Sequence, residues 1–412
     1  MKHTLKKLLA FVLALALVFS LAACGGSPAA SNPPADGEGG GAAPASASFK
    51  QTKIGVGLYF DSGYYPDNVK SYLNELGKAM NVEFVYTLLT QTDEAANLTK
   101  VQEMIASGVD GIILTLDMGT PAILDECAAA GVYVAGFLCD FDTSYNTNYD
   151  AVFKNEYFLG AAADGPTGDD LARGYDYFDS LMEYNEAHPD APITHVAMTT
   201  FPLWAFPMHA VFVQQFSEKV EEYNATAETP IIVDPLDEGV DVLQFVPLDS
   251  TYFTKHAGID AIMSFCDGAT FVYPTMVNAG VDGSIKLFAA GFGESSNEDF
   301  GSTGKGTFQQ EIVSAIEAVA YPVVLLVNKI NGVEFPDMPE DAERMGCLSI
   351  IINSDEDMDA FVNHSLYRTG KITDALYSPE DVANMTAVAN PDATYADLIS
   401  IMDHMTIDAL LK

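Results

Sequence analysis

The chain has 412 residues, 49% of them hydrophobic, and its 58 acidic against 19 basic side chains give a formal net charge of −39. That is more apolar mass than one ordinary core holds, because single cores stop growing at about 250–300 residues, so two domains are expected. So acidic a surface repels phosphate backbones and anionic headgroups, which argues against a nucleic-acid partner.

Lys2, Lys6 and Lys7 precede an uncharged apolar run from Leu8 to Val18, and small residues then lead into Leu21-Ala22-Ala23-Cys24. This is the pattern of a secretion signal, removed and absent from the fold. The alternative is an uncleaved anchor, for which Leu8 to Ala23 is barely long enough. Gly25 to Ser48 is almost wholly Gly, Ala, Ser and Pro. It has too little apolar mass to offset chain ordering and reads as a disordered linker.

From Lys53 the chain alternates strand and helix. Lys53 to Leu58 is a short buried strand, and Val69, Tyr72, Leu73, Leu76 and Met80 follow at helical spacing. Val82 to Tyr86 returns to strand. Thr92 or Asp93 can cap the next helix, which Ser107-Gly108 stops. Gly111 to Leu116 is a third strand. Thr120-Pro121 opens a helix that Gly131 closes, and Val132 to Leu138 is a fourth strand. The rhythm then repeats. Strands are expected at Ile193–Met198, Pro230–Val233, Ile259–Ser264 and Ile285–Gly291, with helices around His209–Glu222 and Ala269–Ala279 and part of Leu243–Lys255. Ile312 to Ile330 is long and apolar, but Glu317 and Pro322 interrupt it and no basic collar flanks it, so a packed helix is expected rather than a membrane span. Residues 354–412 form an acidic tail, helical in pieces. The pattern predicts an α/β protein with two parallel-sheet halves and a C-terminal helical tail.

Cys127, Cys139, Cys266 and Cys347 fall inside core elements and form neither a C-x-x-C pair nor a zinc-spaced cluster, so buried free thiols are expected. Gly301 to Thr307 lacks phosphate-loop spacing. The alternating Asn353, Asp355, Asp357 and Asp359 have Met358 where a calcium loop needs Gly and His364 where it needs Glu. There is no G-x-S-x-G or H-E-x-x-H, and the seven histidines are dispersed. No enzyme, cofactor or metal is expected.

Several segments carry a resemblance. Lys53-Ile54-Gly55-Val56 opens the first strand, and Met104 to Ile113 includes Gly108-Val109-Asp110-Gly111-Ile112-Ile113. Ala130-Gly131-Val132-Tyr133-Val134, Asn155 to Gly160, Ile259 to Asp267, Asn278-Ala279-Gly280 and Ala290-Gly291-Phe292 follow in order. Together these resemble the type I periplasmic binding proteins, the ribose- and galactose-binding class, over about residues 52–353. Leu21-Ala22-Ala23-Cys24 resembles the lipobox of bacterial lipoproteins, in which the cysteine is acylated.

The resemblance implies two Rossmann-like lobes joined by a hinge, with residues 51–155 plus about 311–345 in the first. Residues 156–310 plus about 346–412, the tail included, would form the second. Residues 1–23 would be the signal and 24–50 the linker. It implies a monomeric extracytoplasmic receptor, lipid-anchored at Cys24, that captures a sugar or sugar-like solute for the permease of an ABC importer. A sensor module of the same fold, or a flat or cationic non-sugar ligand, is the alternative.

The resemblance also places ligand-binding candidates. Tyr64 and Tyr65 match stacking aromatics after the first strand, beside Asp61. Asp140 and Asp142 match the sugar-binding aspartate after the fourth, and Asp117, after the third, is a weaker candidate that reads first as a cap of the next helix. Trp204 is a candidate second stacking plane. Asp267 matches the aspartate of an Asn-Asp step whose Asn is Cys266 here. Glu294 lies one residue past the aspartate of a G-F-D step, and Gln310 matches a crossing-segment Gln. The family Arg expected near Phe206-Pro207-Met208-His209 has no counterpart there, which predicts an acidic, aromatic pocket.

Overall fold

Near-continuous apolar runs such as Gly111–Leu114 and Phe158–Ala162, buried at every position, make strands that need cover on both faces. The computed structural model describes residues 49–411 except 60, 62, 140, 142–148, 166 and 168–171. The signal segment, most of the linker, Cys24, Asp140 and Asp142 lie outside the described residues. Strands β1 (Thr52–Leu58), β2 (Val82–Leu88), β3 (Gly111–Leu114), β4 (Tyr133–Phe137) and β5 (Phe158–Ala162) form one parallel sheet. Strands β6 (His195–Thr199), β7 (Ile232–Val233), β8 (Ala261–Asp267), β9 (Lys286–Ala290) and β10 (Phe308–Ser314) form a second. The chain then returns. β11 (Arg344–Met345) adds to the first sheet beside β5, and β12 (Ser349–Ile352) adds to the second, antiparallel to β10. The orders are β11-β5-β4-β3-β1-β2 and β12-β10-β9-β8-β6-β7.

Helix Tyr64–Met80 buries the expected Val69, Tyr72, Leu73, Leu76 and Met80, and ends where Asn81 takes a left-handed conformation. Asp93, not Thr92, caps the next helix by accepting from the Ala96 N–H at 2.9 Å. Pro274 divides the helix expected at Ala269–Ala279 into Gly268–Phe271 and Tyr273–Ala279.

Two expectations fail at the crossings between sheets. The resemblance makes Asn155 to Gly160 the start of a crossover helix, but Phe158–Ala162 is β5, so the first sheet runs past residue 155. Its Gly and Ala residues suit a strand squeezed between layers. Gly160 has φ +131°, and a Cβ there would lie 2.7 Å from the Tyr321 hydroxyl. Ile312–Ile330 is not one helix either. β10 ends at Ser314, a 3₁₀ turn spans Ile316–Val319, and only Ala320–Asn331 is α-helical, with Pro322 in its first turn. Among the described residues no helix is long and apolar enough to cross a membrane.

The tail binds both sheets' layers. Ser354 caps helix Asp355–His364, Asp355 accepts from the Ser302 N–H at 3.1 Å, and Phe361 packs on Phe292 with centroids 4.9 Å apart. The chain then reaches helix Tyr64–Met80. Asn68 donates to the Tyr367 carbonyl at 2.7 Å, and the Tyr72 hydroxyl donates to the Tyr377 carbonyl at 2.6 Å. It returns to the β11–β12 connection, where the Leu348 N–H donates to the Met402 carbonyl and Cys347 lies 3.5 Å from the Met405 sulfur. The tail therefore wraps the segment that joins the sheets. Cys127, Cys139, Cys266 and Cys347 are free and buried, and burial pushes the Cys347 thiol up to about 12, which makes it unreactive.

Candidate functional site

In parallel sheets the loops after the strands converge at the carboxyl ends, where ligands bind. Here those loops line a cleft of about 560 Å³, with residues after β1, β2, β4 and β5 on one side and after β6, β8, β9 and β10 on the other. Much of its wall is aromatic. Phe206, Phe245 and Phe271 have ring centroids within 5.3 Å of that of Phe201. Tyr59, Tyr65 and Tyr367 add phenol rings. Leu138 and Phe245, both in the wall, have φ of 59° and 58°, a strained conformation for bulky residues. The loop carrying Phe245 is tied at its root by His256, whose two ring nitrogens meet Asp234 at 2.7 Å and Asp241 at 2.8 Å.

The expected residues divide into three groups. Tyr65 and Asp267 line the cleft. Tyr65 stacks on Phe137 and packs against Tyr367, and its buried hydroxyl has no partner among the described residues. Asp267 accepts from the Thr270 N–H at 2.9 Å. Burial raises its carboxyl above the usual range against the pull of Thr270 and Ala269. Tyr64 and Glu294 meet each other instead, the hydroxyl donating to the carboxylate at 2.7 Å, with the Arg368 guanidinium 4.5 Å from the Tyr64 ring centroid. That contact links the two sides at the rim.

Trp204, Asp61 and Gln310 lie elsewhere. Trp204 is 60% exposed and borders a second hollow of about 460 Å³ that shares Gln91, Leu138, Phe206 and Met208 with the main cleft. Asp117 lines this hollow, and burial raises its carboxyl while Tyr149 lowers it. The next helix is held by its carbonyl, which accepts from Thr120, and not by its side chain. Asp61 is exposed outside the cleft wall, its carbonyl accepting from Lys70 at 2.6 Å. Gln310 is fully buried and donates to Ser180 and to the Asp176 carbonyl, pinning β10 to helix Arg173–Ala187. Gln310 is not part of the cleft wall, and its buried Oε1 has no partner among the described residues.

Sequence reasoning missed Arg173, His209, Asp164 and Gln91. No arginine stands near Phe206–His209, but one reaches the cleft from elsewhere in the chain: Arg173, the first residue of helix Arg173–Ala187, lines it. It donates to Ser349 at 2.8 Å and to the Asp164 carbonyl at 3.2 Å, over the Phe212 ring at 5.6 Å. His209 Nδ1 accepts from the Phe201 N–H at 3.0 Å, so the neutral ring carries its proton on Nε2. Burial, and then the Arg173 charge, hold its pKa down to about 3. The Asp164 carboxylate accepts from Ser314, and the buried Gln91 Oε1 has no partner among the described residues. Arg173 follows a stretch that matched no element, and Tyr367 stands in the tail, so neither carried a signal in its surroundings.

No family model and no curated protein matches the chain. Solved structures do. An ABC transporter solute-binding protein from Burkholderia graminis in complex with D-arabinose has a TM-score of 0.52 at 15% identity, covering 75% of this chain and 97% of its own. One from Agrobacterium vitis bound with α-D-tagatopyranose gives 0.54 at 14%, covering 76% and 96%. One from Bacillus halodurans with bound myo-inositol gives 0.52 at 13%, covering 76% and 98%. The fold is that of the type I periplasmic binding proteins. Relative to these solute-binding proteins, this chain has more unmatched length than residues 1–48 supply. Among the described residues, no group of three or more ligating side chains could hold a metal ion.

Two outcomes are expected at this site. Tyr65→Phe removes a hydroxyl with no partner, so the unliganded protein should change stability by less than about 0.5 kcal/mol, while ligand affinity falls if the hydroxyl faces ligand. Urea unfolding with calorimetric binding separates the two, and a large loss of unliganded stability would contradict the geometry. Asp176 has its pKa raised to about 6, by burial first, against the lowering pull of Arg173. A folded value above the ordinary 3.8 makes ionisation cost stability. The contribution of Asp176 to stability should therefore decline as pH rises from about 4 through 6. Asp176→Asn should be more stable than wild type above that window and lose the advantage below it, read as melting temperature against pH.

Proposed function

We infer that this protein is the extracytoplasmic solute receptor of an ABC importer, binding one sugar or sugar-like molecule between its two lobes. The observation that carries the reading is the cleft, built from the strand-end loops of both sheets, with aromatic planes for sugar C–H faces and polar edges for hydroxyls. The solute-binding proteins of like fold, with their bound sugars and polyols, support it. Its mechanism is closure. Ligand contacts made by both lobes favour the closed form by the difference in affinity between forms, and that form would dock on the permease. Acylation at Cys24 would hold a monomeric receptor at the membrane beside that permease.

Thermal shift with D-arabinose, D-tagatose, D-glucose, D-galactose and myo-inositol, with native mass spectrometry of the purified protein, tests the reading. A true ligand at a hundred times its Kd should stabilise by about 2.7 kcal/mol. No shift with any sugar or polyol and no retained mass would reject it. Intact mass of protein taken from membranes tests the lipid: a mass lacking acyl chains would remove Cys24 from the account.

A further inference from the structure

Arg173 is a buried cation, 7% exposed, in a wall otherwise aromatic. It is the one Lys or Arg lining the cleft among the described residues. None of the ion pairs among those residues includes it. Among the described residues it donates two hydrogen bonds, both from one terminal nitrogen and both to neutral oxygens, the Ser349 hydroxyl and the Asp164 carbonyl. Nε and the other terminal nitrogen form no hydrogen bond among the described residues. A buried charge ordinarily has a counter-charge, because removing a guanidinium from water is costly.

Among the described residues, the nearby carboxylates are engaged or set apart. Asp164 accepts from Ser314, and Asp267 caps its helix. Asp176, one turn along the same helix, feels Arg173 but forms no ion pair with it. His209 shares the wall and presents an Nε2–H, a second donor.

We propose that Arg173 reads an acidic group on the ligand, so that the solute is a sugar acid, a uronate or aldonate, whose carboxylate takes Arg173 while its ring lies against the aromatic wall. The guanidinium fork suits a carboxylate, and such a pair is about twice as strong as a neutral hydrogen bond. The net charge of −39 does not forbid it, since charges beyond about 10 Å are largely screened at 0.1 M salt. The proposal rests on the solute-receptor reading for the ligand's sugar body, and on Arg173 for its charge.

Calorimetry on the full chain with paired probes tests it: D-glucuronate against D-glucose, D-galacturonate against D-galactose, with D-glucosamine and benzoate as controls. At least one acid is expected to bind tenfold or more tightly than its neutral partner. In Arg173→Gln that preference should fall to about threefold or less, and Arg173→Lys should keep part of it. Should Arg173→Gln fail to fold, the wild-type pairs still decide. Neutral sugars binding as well as the acids, or glucosamine binding best, overturns the acidic ligand and leaves the solute-receptor reading standing. Binding of benzoate alone keeps the anion site but removes the sugar. No binding by any probe overturns the acidic ligand, and the solute-receptor reading then stands or falls on the wider sugar and polyol panel and the retained mass.

Discussion

Phe361→Ala is expected to lower the unfolding free energy by about 3–5 kcal/mol, the cost of emptying a buried aromatic site. Phe361 is fully buried and packs on two rings, Phe292 at 4.9 Å after β9 and Tyr367 at 5.4 Å in the cleft wall, and Tyr367 in turn meets the Tyr65 ring at 5.1 Å. The void would open where the tail meets the second sheet's layer, so Tyr367 should lose its backing and ligand affinity should fall as well. Denaturant unfolding with calorimetric binding on the same variant reads both. A loss below about 1 kcal/mol would mean that the tail is not fastened to the body through this residue.

Gly174→Ala should disturb both stability and binding by a different route. Helices Arg173–Ala187 and Met208–Asn224 meet at Gly174, where an added Cβ would lie 2.3 Å from the Phe212 carbonyl oxygen and 2.6 Å from the Gln215 Cβ. The Gly174 N–H also donates to Gln215 at 3.1 Å. Backbone cannot give way as a flexible side chain can, so the helices must part, at about 1–3 kcal/mol or more. The shift starts one residue from Arg173 and from the Phe212 ring beneath it. Affinity should therefore fall more than an equally destabilising change on the exposed side of the fold would cause. Equal affinity with lowered stability would show that Arg173 is positioned independently of this helix contact.

The two-sheet architecture was legible because parallel strands buried on both faces are written as unbroken apolar runs, and because Gly131 and Asp93 mark helix ends by local chemistry that tertiary contacts do not override. β5 was not, since Phe158-Leu159-Gly160-Ala161-Ala162 has the composition of a helix and becomes a strand only through the layers packed on it. The rule that ligand groups follow strands brought out Tyr65 and Asp267. It could not yield Arg173, which begins a helix, or Tyr367, which arrives from about 300 residues away in sequence. Gln310 lies outside the cleft wall because motif position fixes the strand but not which side of it a polar residue serves. Its hydrogen bonds to Ser180 and Asp176 spend it on helix packing.

The wrapped tail bears on how a receptor of the proposed kind can be tuned. Tyr367 belongs at once to the cleft wall and to the belt around the β11–β12 connection, and Leu398 and Met402 are buried farther along the same belt. Apparent affinity is the intrinsic affinity scaled by the fraction of molecules whose lobes are arranged to bind. Under the closure proposed here, a substitution at Leu398, remote from every ligand contact, would shift that fraction. Selectivity and sensitivity then become separable traits: the first set among Arg173 and the aromatic wall, the second adjustable from the belt without altering which solute is chosen.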